Sequence, residues 1–350
     1  MKSNQGVNCP LPSTASDRIT LLHGEGGRVM RRFLRERVLG RLGEYDVQID
    51  ADAADLGQFE GEVAITTDSF VVSPRFFPGG DIGSLCVHGV VNDLSVSCAT
   101  PKYMTLAIIV EEGFAISEFD RIVDRIAGAA KACAIKIVAG DTKVVPKNSV
   151  DGMFLSATAV GVFREPRLVG PKRLKTGAKL IVSGPIGEHG FAVLCARESL
   201  GFTPAPKSDS SPLQLATMAL HAALGSDLFA MRDATRGGVA AVCHEWAEAC
   251  GNAMWIDESQ LPLSDSARGV SEILGLDPLF VAGEGVFVAA VASHRADDAL
   301  QALRRVEISR HACVIGEVQP CRVSPVLVRR GVGVDQPLDE PLAAMLPRIC

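Results

Sequence analysis

The sequence predicts a two-domain α+β protein, and three observations carry that prediction. Its 350 residues exceed what a single hydrophobic core usually organises. Short β-branched runs alternate with segments of helical apolar spacing through both halves. Between two strand-like runs near the middle, residues 164–179 are rich in Pro, Gly and basic side chains, the composition of an interdomain linker. The boundary falls near residue 170, so that 17–168 form an N-terminal domain and 175–330 a C-terminal one. Residues 1–16, rich in Ser, Asn, Pro and Gly, read as a disordered leader, and 336–350, with three prolines and no periodic pattern, as a mobile tail.

In the first half, residues 63–67 form a strand by their β-branched content, and residues 82–98 set Ile82, Leu85, Val90 and Leu94 at helical spacing. Residues 104–110 are a second strand. Ser117 with Asp120 opens a capped helix running through Ala132, followed by strands over 135–139 and 154–163. The second half begins with a strand over 179–183, helices over 191–200 and 212–224, and an extended segment over 229–232. Helices over 238–250 and 265–274 come next, then an apolar run over 279–292, a helix over 295–305, and strands over 313–318 and 323–329. Each half carries a strand ending in an acid beside glycine, Gly140-Asp141 and Glu284-Gly285, a pattern that suggests two related halves.

A formal charge of −6, with no Lys/Arg run longer than a pair, argues against a nucleic-acid surface, because a basic field is what attracts phosphate backbones. The N-terminus lacks the apolar core of a signal peptide, and no stretch approaches the roughly 20 apolar residues of a membrane span. The chain is therefore expected in the cytoplasm, away from membranes. Its ten cysteines contain no C-x-x-C pair, so a structural metal is not expected. Most lie among Ala, Val and Leu, as small hydrophobes do. Cys350 differs, because it ends a polar tail.

Six segments depart from what packing alone would select: His23–Gly27, Thr66–Phe70, Phe76–Gly83, Asn92-Asp93, Gly140–Lys143 and Arg232–Gly238. Asp68, Asp93, Asp141 and Asp233 sit at the ends of apolar runs or within helices, where an unpaired carboxylate is costly. Each alone reads as a cap or turn residue. As a set they point to Mg²⁺ bridged to a triphosphate, since Mg²⁺ prefers a few carboxylates plus phosphate oxygens. The glycines offer backbone N–H groups near helix starts, but neither a P-loop nor a dinucleotide-binding fingerprint occurs.

Taken in order, these segments resemble the AIR-synthase-like ATP-binding superfamily, which includes the purine enzymes, thiamine-monophosphate kinase and selenophosphate synthetase. Within it the match is nearer to the carbamoyl dehydratases of hydrogenase maturation, over residues 17–350. It rests on His23–Gly27, Thr67–Val72, Phe76–Gly83, Val91–Leu94, Gly140–Val145, Arg232–Gly238, Leu276–Leu279 and the terminal Leu346-Pro347-Arg348-Ile349-Cys350. The resemblance implies a two-domain AIR-synthase-like fold and a homodimer. The N-terminal domain would form a strand barrel at the dimer interface, the C-terminal domain an α/β layer, and the C-terminal tail would be flexible.

It also implies ATP and Mg²⁺, with Asp52, Asp68, Asp93, Asp141 and Asp233 around the metal. Asp81, Asn92, Thr142 and Lys143 join Asp68, Asp141 and Asp233 as nucleotide contacts. Where the family more often has Pro and Asn, this chain has Ala234 and Gly283; the latter removes a side chain that would brace the loop around Glu284.

The activity implied is ATP-dependent dehydration of an S-carbamoyl group on Cys350 to a thiocyanate, supplying cyanide ligands for nickel–iron hydrogenase. The carbamoyltransferase HypF would be the donor and the HypC–HypD complex the acceptor. Lys143 and Glu284 match positions of the dehydration step, Glu284 as base or else an ion-pair carboxylate. His23 is a phosphate contact or a turn residue. The tail of about fifteen residues spans up to roughly 50 Å if extended, enough for a terminal thiol to swing between cleft and partner. Two alternatives use the same residues without Cys350: a small-molecule kinase or synthetase of the superfamily, and a non-catalytic nucleotide-binding scaffold.

Overall fold

The computed structural model describes residues 17–42, 53–163, 169–331 and 333–340. Its N-terminal part contains α1 (Gly27–Phe33), α2 (Gly40–Leu42), β1 (Val63–Phe70), the short pair β2 (Phe76–Phe77) and β3 (Gly80–Asp81), and α3 (Ile82–Val96). It continues with β4 (Ala99–Glu111), α4 (Ile116–Ala132), β5 (Lys136–Val145) and β6 (Met153–Phe163). The four long strands form one sheet in the order β1-β6-β4-β5. β4 and β5 are parallel, and α4 makes the crossover such a pair requires.

Burial along these strands has period two, so one face packs and the other does not. Leu106, Ile108, Leu155 and Ala157 face the helices and are buried, while Ile65 is 71% and Ile109 37% exposed on the opposite face. α3 is the central element. Leu85, Val87, Val90 and Val91 are fully buried around its circumference, as expected of a helix with neighbours on every side. It touches β1, β6 and α4 of its own half and, in the other half, the segments Gln214–Leu224 and Leu228–Asp233.

The C-terminal part runs β7 (Lys179–Val182), α5 (Glu188–Arg197), α6 (Gln214–Leu224), β8 (Leu228–Asp233), α7 (Gly238–Cys250), β9 (Asn252–Asp257) and α8 (Asp265–Leu274). It ends with β10 (Phe287–Val291), α9 (Ala296–Arg304), β11 (Cys313–Pro320), β12 (Val326–Arg330) and β13 (Val334–Pro337). Seven strands align as β13-β12-β9-β11-β7-β10-β8. Phe287, Ala289 and Val291 of β10 pack with the α6 and α9 side, and Val288 and Ala290 with the α7 side. Helices on both faces explain why this strand is one continuous apolar run.

Several local expectations change. The helix expected to open at Ser117 begins at Ile116, with Ala115 as its uncapped N-cap. Its start is held instead by the Ile116 N–H donating to the Asp17 carbonyl. The helix expected over 191–200 starts three residues earlier, at Glu188. β5 does not end at Gly140-Asp141 but continues to Val145, which places Asp141 in mid-strand. β9 is unanticipated because a short apolar run beside a helix end has no decisive period.

Candidate functional site

Asp68, Asp93, Asp233 and Glu284 meet at one cavity of about 770 Å³ between the two halves of the chain, with Arg232, Thr235 and Arg236 on its wall. Strand alternation turns Thr66 and Asp68 of β1 toward α3. The helix lies close there because a Cβ at Gly89 would come within 2.8 Å of the Phe70 ring. Asp93 comes from the last turns of α3 and accepts a 2.6 Å hydrogen bond from the Thr66 hydroxyl. Asp233 ends β8, paired with Phe287 of β10. Thr235 and Arg236 lead into α7, whose start is uncapped by any side chain. Gly237 and Gly238 make that turn at φ of 76° and 61°, and a Cβ at Gly238 would lie 2.5 Å from the Leu279 carbonyl. The turn needs glycine for conformation and for space.

Crowding acids in a buried space raises their proton affinity. Burial, then the Asp93 charge, lifts Asp68 to about 6, and the two carboxyls share a hydrogen bond. Burial raises Asp93 as well, while Thr66, Arg232 and Arg236 oppose the rise. Burial and then Asp93 lift Asp233 to about 7. Glu284, only 4% exposed, is pushed well above the carboxylate range by burial and by Asp233, Asp209, Asp68 and Asp93.

The ligand-free protein therefore keeps protons on Asp68, Asp209 and Asp233 that the unfolded chain sheds near 3.8. The stability this contributes is complete below that value and is lost as pH climbs through about 6 to about 7. Urea midpoints are expected to be higher near pH 5 than near pH 8, with a flatter profile in Asp233→Asn; an unchanged profile in that variant contradicts the assignment.

The other residues singled out in the sequence lie elsewhere. Asp81 caps α3, accepting from the Ser84 N–H at 2.9 Å, and lines a second cavity of about 680 Å³ with Phe76, His88 and Arg121. Asn92 is directed away from Asp93: its amide donates to the Ser211 and Glu284 carbonyls at 3.0 and 3.1 Å and accepts from the Leu213 N–H at 2.8 Å. It joins α3 to two loops of the other half. His23 bonds Thr20 through Nδ1 at 3.0 Å and packs its ring on Phe33.

Asp141 and Lys143 lie across the sheet from Asp68. The register Asp68–Ala157–Leu106–Gly140 puts Gly140, not Asp141, on the face of Asp68. β1 and β5 are also opposite edges of the sheet, three strand spacings or roughly 14 Å apart. Thr142 is on the inner face and buried. Asp52 and Cys350 lie outside the described residues. Among the described residues no three acidic, His or Cys side chains are grouped closely enough to enclose a metal unaided, and Mg²⁺ does not require it when phosphate supplies the other ligands.

Asp209 escapes sequence reading. It stands in a Lys-Ser-Asp-Ser-Ser-Pro run with the composition of a solvent loop, yet its carboxylate receives the Glu284 and Gly285 N–H groups. With Asn92 it braces the loop that lacks a side chain at Gly283. The available signal is glycine on both sides of Glu284, which indicates a close approach but not its partner.

Residues 50–163 match the family described as AIR synthase related protein, N-terminal domain, and residues 175–328 its C-terminal domain. The carbamoyl dehydratase HypE of Escherichia coli K12 is 39% identical over 343 residues, 95% of this chain and 99% of that protein. A crystal structure of the hydrogenase maturation protein HypE in complex with ATP superposes with a TM-score of 0.90 at 35% identity, over 95% of this chain and 99% of that one. A HypE–HypF complex matches with a TM-score of 0.77 at 42% identity, over 80% and 90%. Both AIR synthase domains and 39% identity over nearly the full length of a named dehydratase, with an acid-ringed cavity between the two halves, place the chain in the HypE carbamoyl dehydratase family.

Proposed function

We propose that the chain uses ATP to dehydrate an S-carbamoyl group on its own Cys350 to a thiocyanate for hydrogenase maturation, a reading consistent with the carbamoyl dehydratase name of its relatives. The observation that carries this reading is the convergence of Asp68, Asp93, Asp233 and Glu284 on one cavity with Arg232 and Arg236. Four acids outnumber the two arginines and would repel a polyanion unless a further cation is bound, so the set suits Mg²⁺ with a nucleotide. Asp68, Asp93 and Asp233 would hold the ion, which shields the negative charge of the phosphates. The uncapped start of α7 offers N–H groups to the same phosphates.

Amide oxygen is a poor leaving group. In the first step that oxygen attacks the γ-phosphorus of ATP; the new O–P bond forms as the bond to ADP breaks. In the second, nitrogen gives up its two protons, the C–O bond breaks with phosphate as leaving group, and C≡N forms. The products are ADP, phosphate and one released proton. Glu284 takes an N–H proton. Neighbouring acids raise its proton affinity, and cation binding relieves that repulsion, moving it toward the range of an effective general base.

Asp141 and Lys143 act from a second copy in this reading. The outer sheet face bearing them also exposes Val63, Ile65 and Ile109, an apolar surface on which two sheets can close into a barrel. The partner's Lys143 then faces the transferring phosphoryl group. HypF delivers the carbamoyl group, as the HypE–HypF complex of a relative supports, and a HypC–HypD complex receives the cyanide. Asn92 positions the Glu284 loop, and His23 shapes the turn beside β5. Among the described residues no helix is long and apolar enough to cross a membrane.

Cys350→Ala tests the reading at its substrate. With HypF, a labelled carbamoyl donor and ATP, protein-bound label is expected to vanish. A protein-bound nitrile formed by that variant contradicts the proposal.

A further inference from the structure

We propose that Asp209 is a positioning residue for Glu284, a role that rests on the reading of Glu284 as the base. Its carboxylate accepts two consecutive backbone N–H groups, that of Glu284 at 3.1 Å and that of Gly285 at 3.0 Å, one on each oxygen. This clamp fixes the direction in which the Glu284 side chain leaves its loop. The glycines flanking Glu284 permit it. A Cβ at Gly285 would stand 1.8 Å from the Asp209 carbonyl, and one at Gly283 would meet Val286 at 2.4 Å and an Asp209 carboxylate oxygen at 3.1 Å.

Asp209 is itself held on both sides. The Ser208 N–H donates to the Pro78 carbonyl at 2.8 Å, and the Ser210 hydroxyl bonds His88 at 3.1 Å. Asn92 grips Ser211 and Leu213 from α3 and reaches the Glu284 carbonyl from the other side. Glu284 is thus suspended between Asp209 at its N–H and Asn92 at its C=O. A loop brace alone needs only a neutral acceptor. A buried carboxylate beside another acid costs stability, and what it adds over a neutral side chain is two equivalent acceptor oxygens for adjacent N–H groups. Asparagine offers one oxygen and turns an NH₂ toward the second N–H.

The test follows single-turnover loss of water from the full-length, carbamoylated chain with Mg²⁺-ATP, in wild type, Asp209→Asn, Glu284→Gln and the double variant. Asp209→Asn is expected to slow the step by about 10- to 100-fold with ATP affinity unchanged, and to add little in the Glu284→Gln background. An equal slowing in both backgrounds, no slowing in either, or lost ATP affinity overturns the proposal. If Asp209→Asn does not fold, Asp209→Ser takes its place in the same comparison. Failure of both to fold overturns it as well, leaving Asp209 a brace. A wild-type rate in Glu284→Gln overturns the base assignment and this proposal with it, whereas a slow Glu284→Gln with an additive Asp209→Asn overturns this proposal alone.

Discussion

Glu284→Gln is expected to slow the ATP-driven loss of water from the carbamoylated chain by about 10²–10⁴-fold, the span of general acid–base catalysis, with nucleotide affinity equal to or better than wild type. The substitution keeps the size of a side chain that is 4% exposed and removes the carboxylate proposed to take the nitrogen proton. Its repulsion from Asp233, Asp209, Asp68 and Asp93 goes with it. Phosphate release and formation of the S–C≡N group should fall together. A near wild-type rate would move the base elsewhere.

Asp233→Asn is expected to pull stability and activity in opposite directions. Burial and the nearby Asp93 lift Asp233 to about 7, so above that pH the ligand-free protein holds repelling carboxylates. A neutral amide there should stabilise the ligand-free protein by about 1–2 kcal/mol near pH 8, since a tenfold change in proton affinity corresponds to about 1.4 kcal/mol. Turnover should fall by about 10²-fold, because the proposed role of Asp233 is to hold the metal of the metal–nucleotide. Thermal melts with and without Mg²⁺-ATP measure both: the variant melts higher alone and gains less from nucleotide. A variant that melts lower without ligand would contradict the electrostatic account. This is the trade-off expected where function keeps charges that folding would remove.

Much of the fold is legible because the pattern that buries it is written locally. The β-branched runs of β1, β4 and β6 and the apolar spacing of α3 and α7 each announce their element. The N-terminal helical segment is harder: arginines at 28, 31, 32, 35, 37 and 41 interrupt the apolar spacing of Met30, Phe33, Val38 and Leu42, and ion pairs such as Arg37–Asp120 hold it on α4.

The site is legible residue by residue but not as a shape. Asp68 and Asp141 look alike in sequence, each an acid in a β-branched run, yet sheet alternation sends them to opposite faces. Asp93 and Asn92 are adjacent and point to different tasks, one into the cavity and one across the domain junction. Asp209 is invisible because its burial comes from a loop 75 residues away.

The most direct test of the central claim is the intact mass of the full-length protein after carbamoylation by HypF, before and after Mg²⁺-ATP. The expected result is a carbamoyl adduct on Cys350 that loses one water only when ATP is present. An adduct on another residue, or loss of water without ATP, would contradict it.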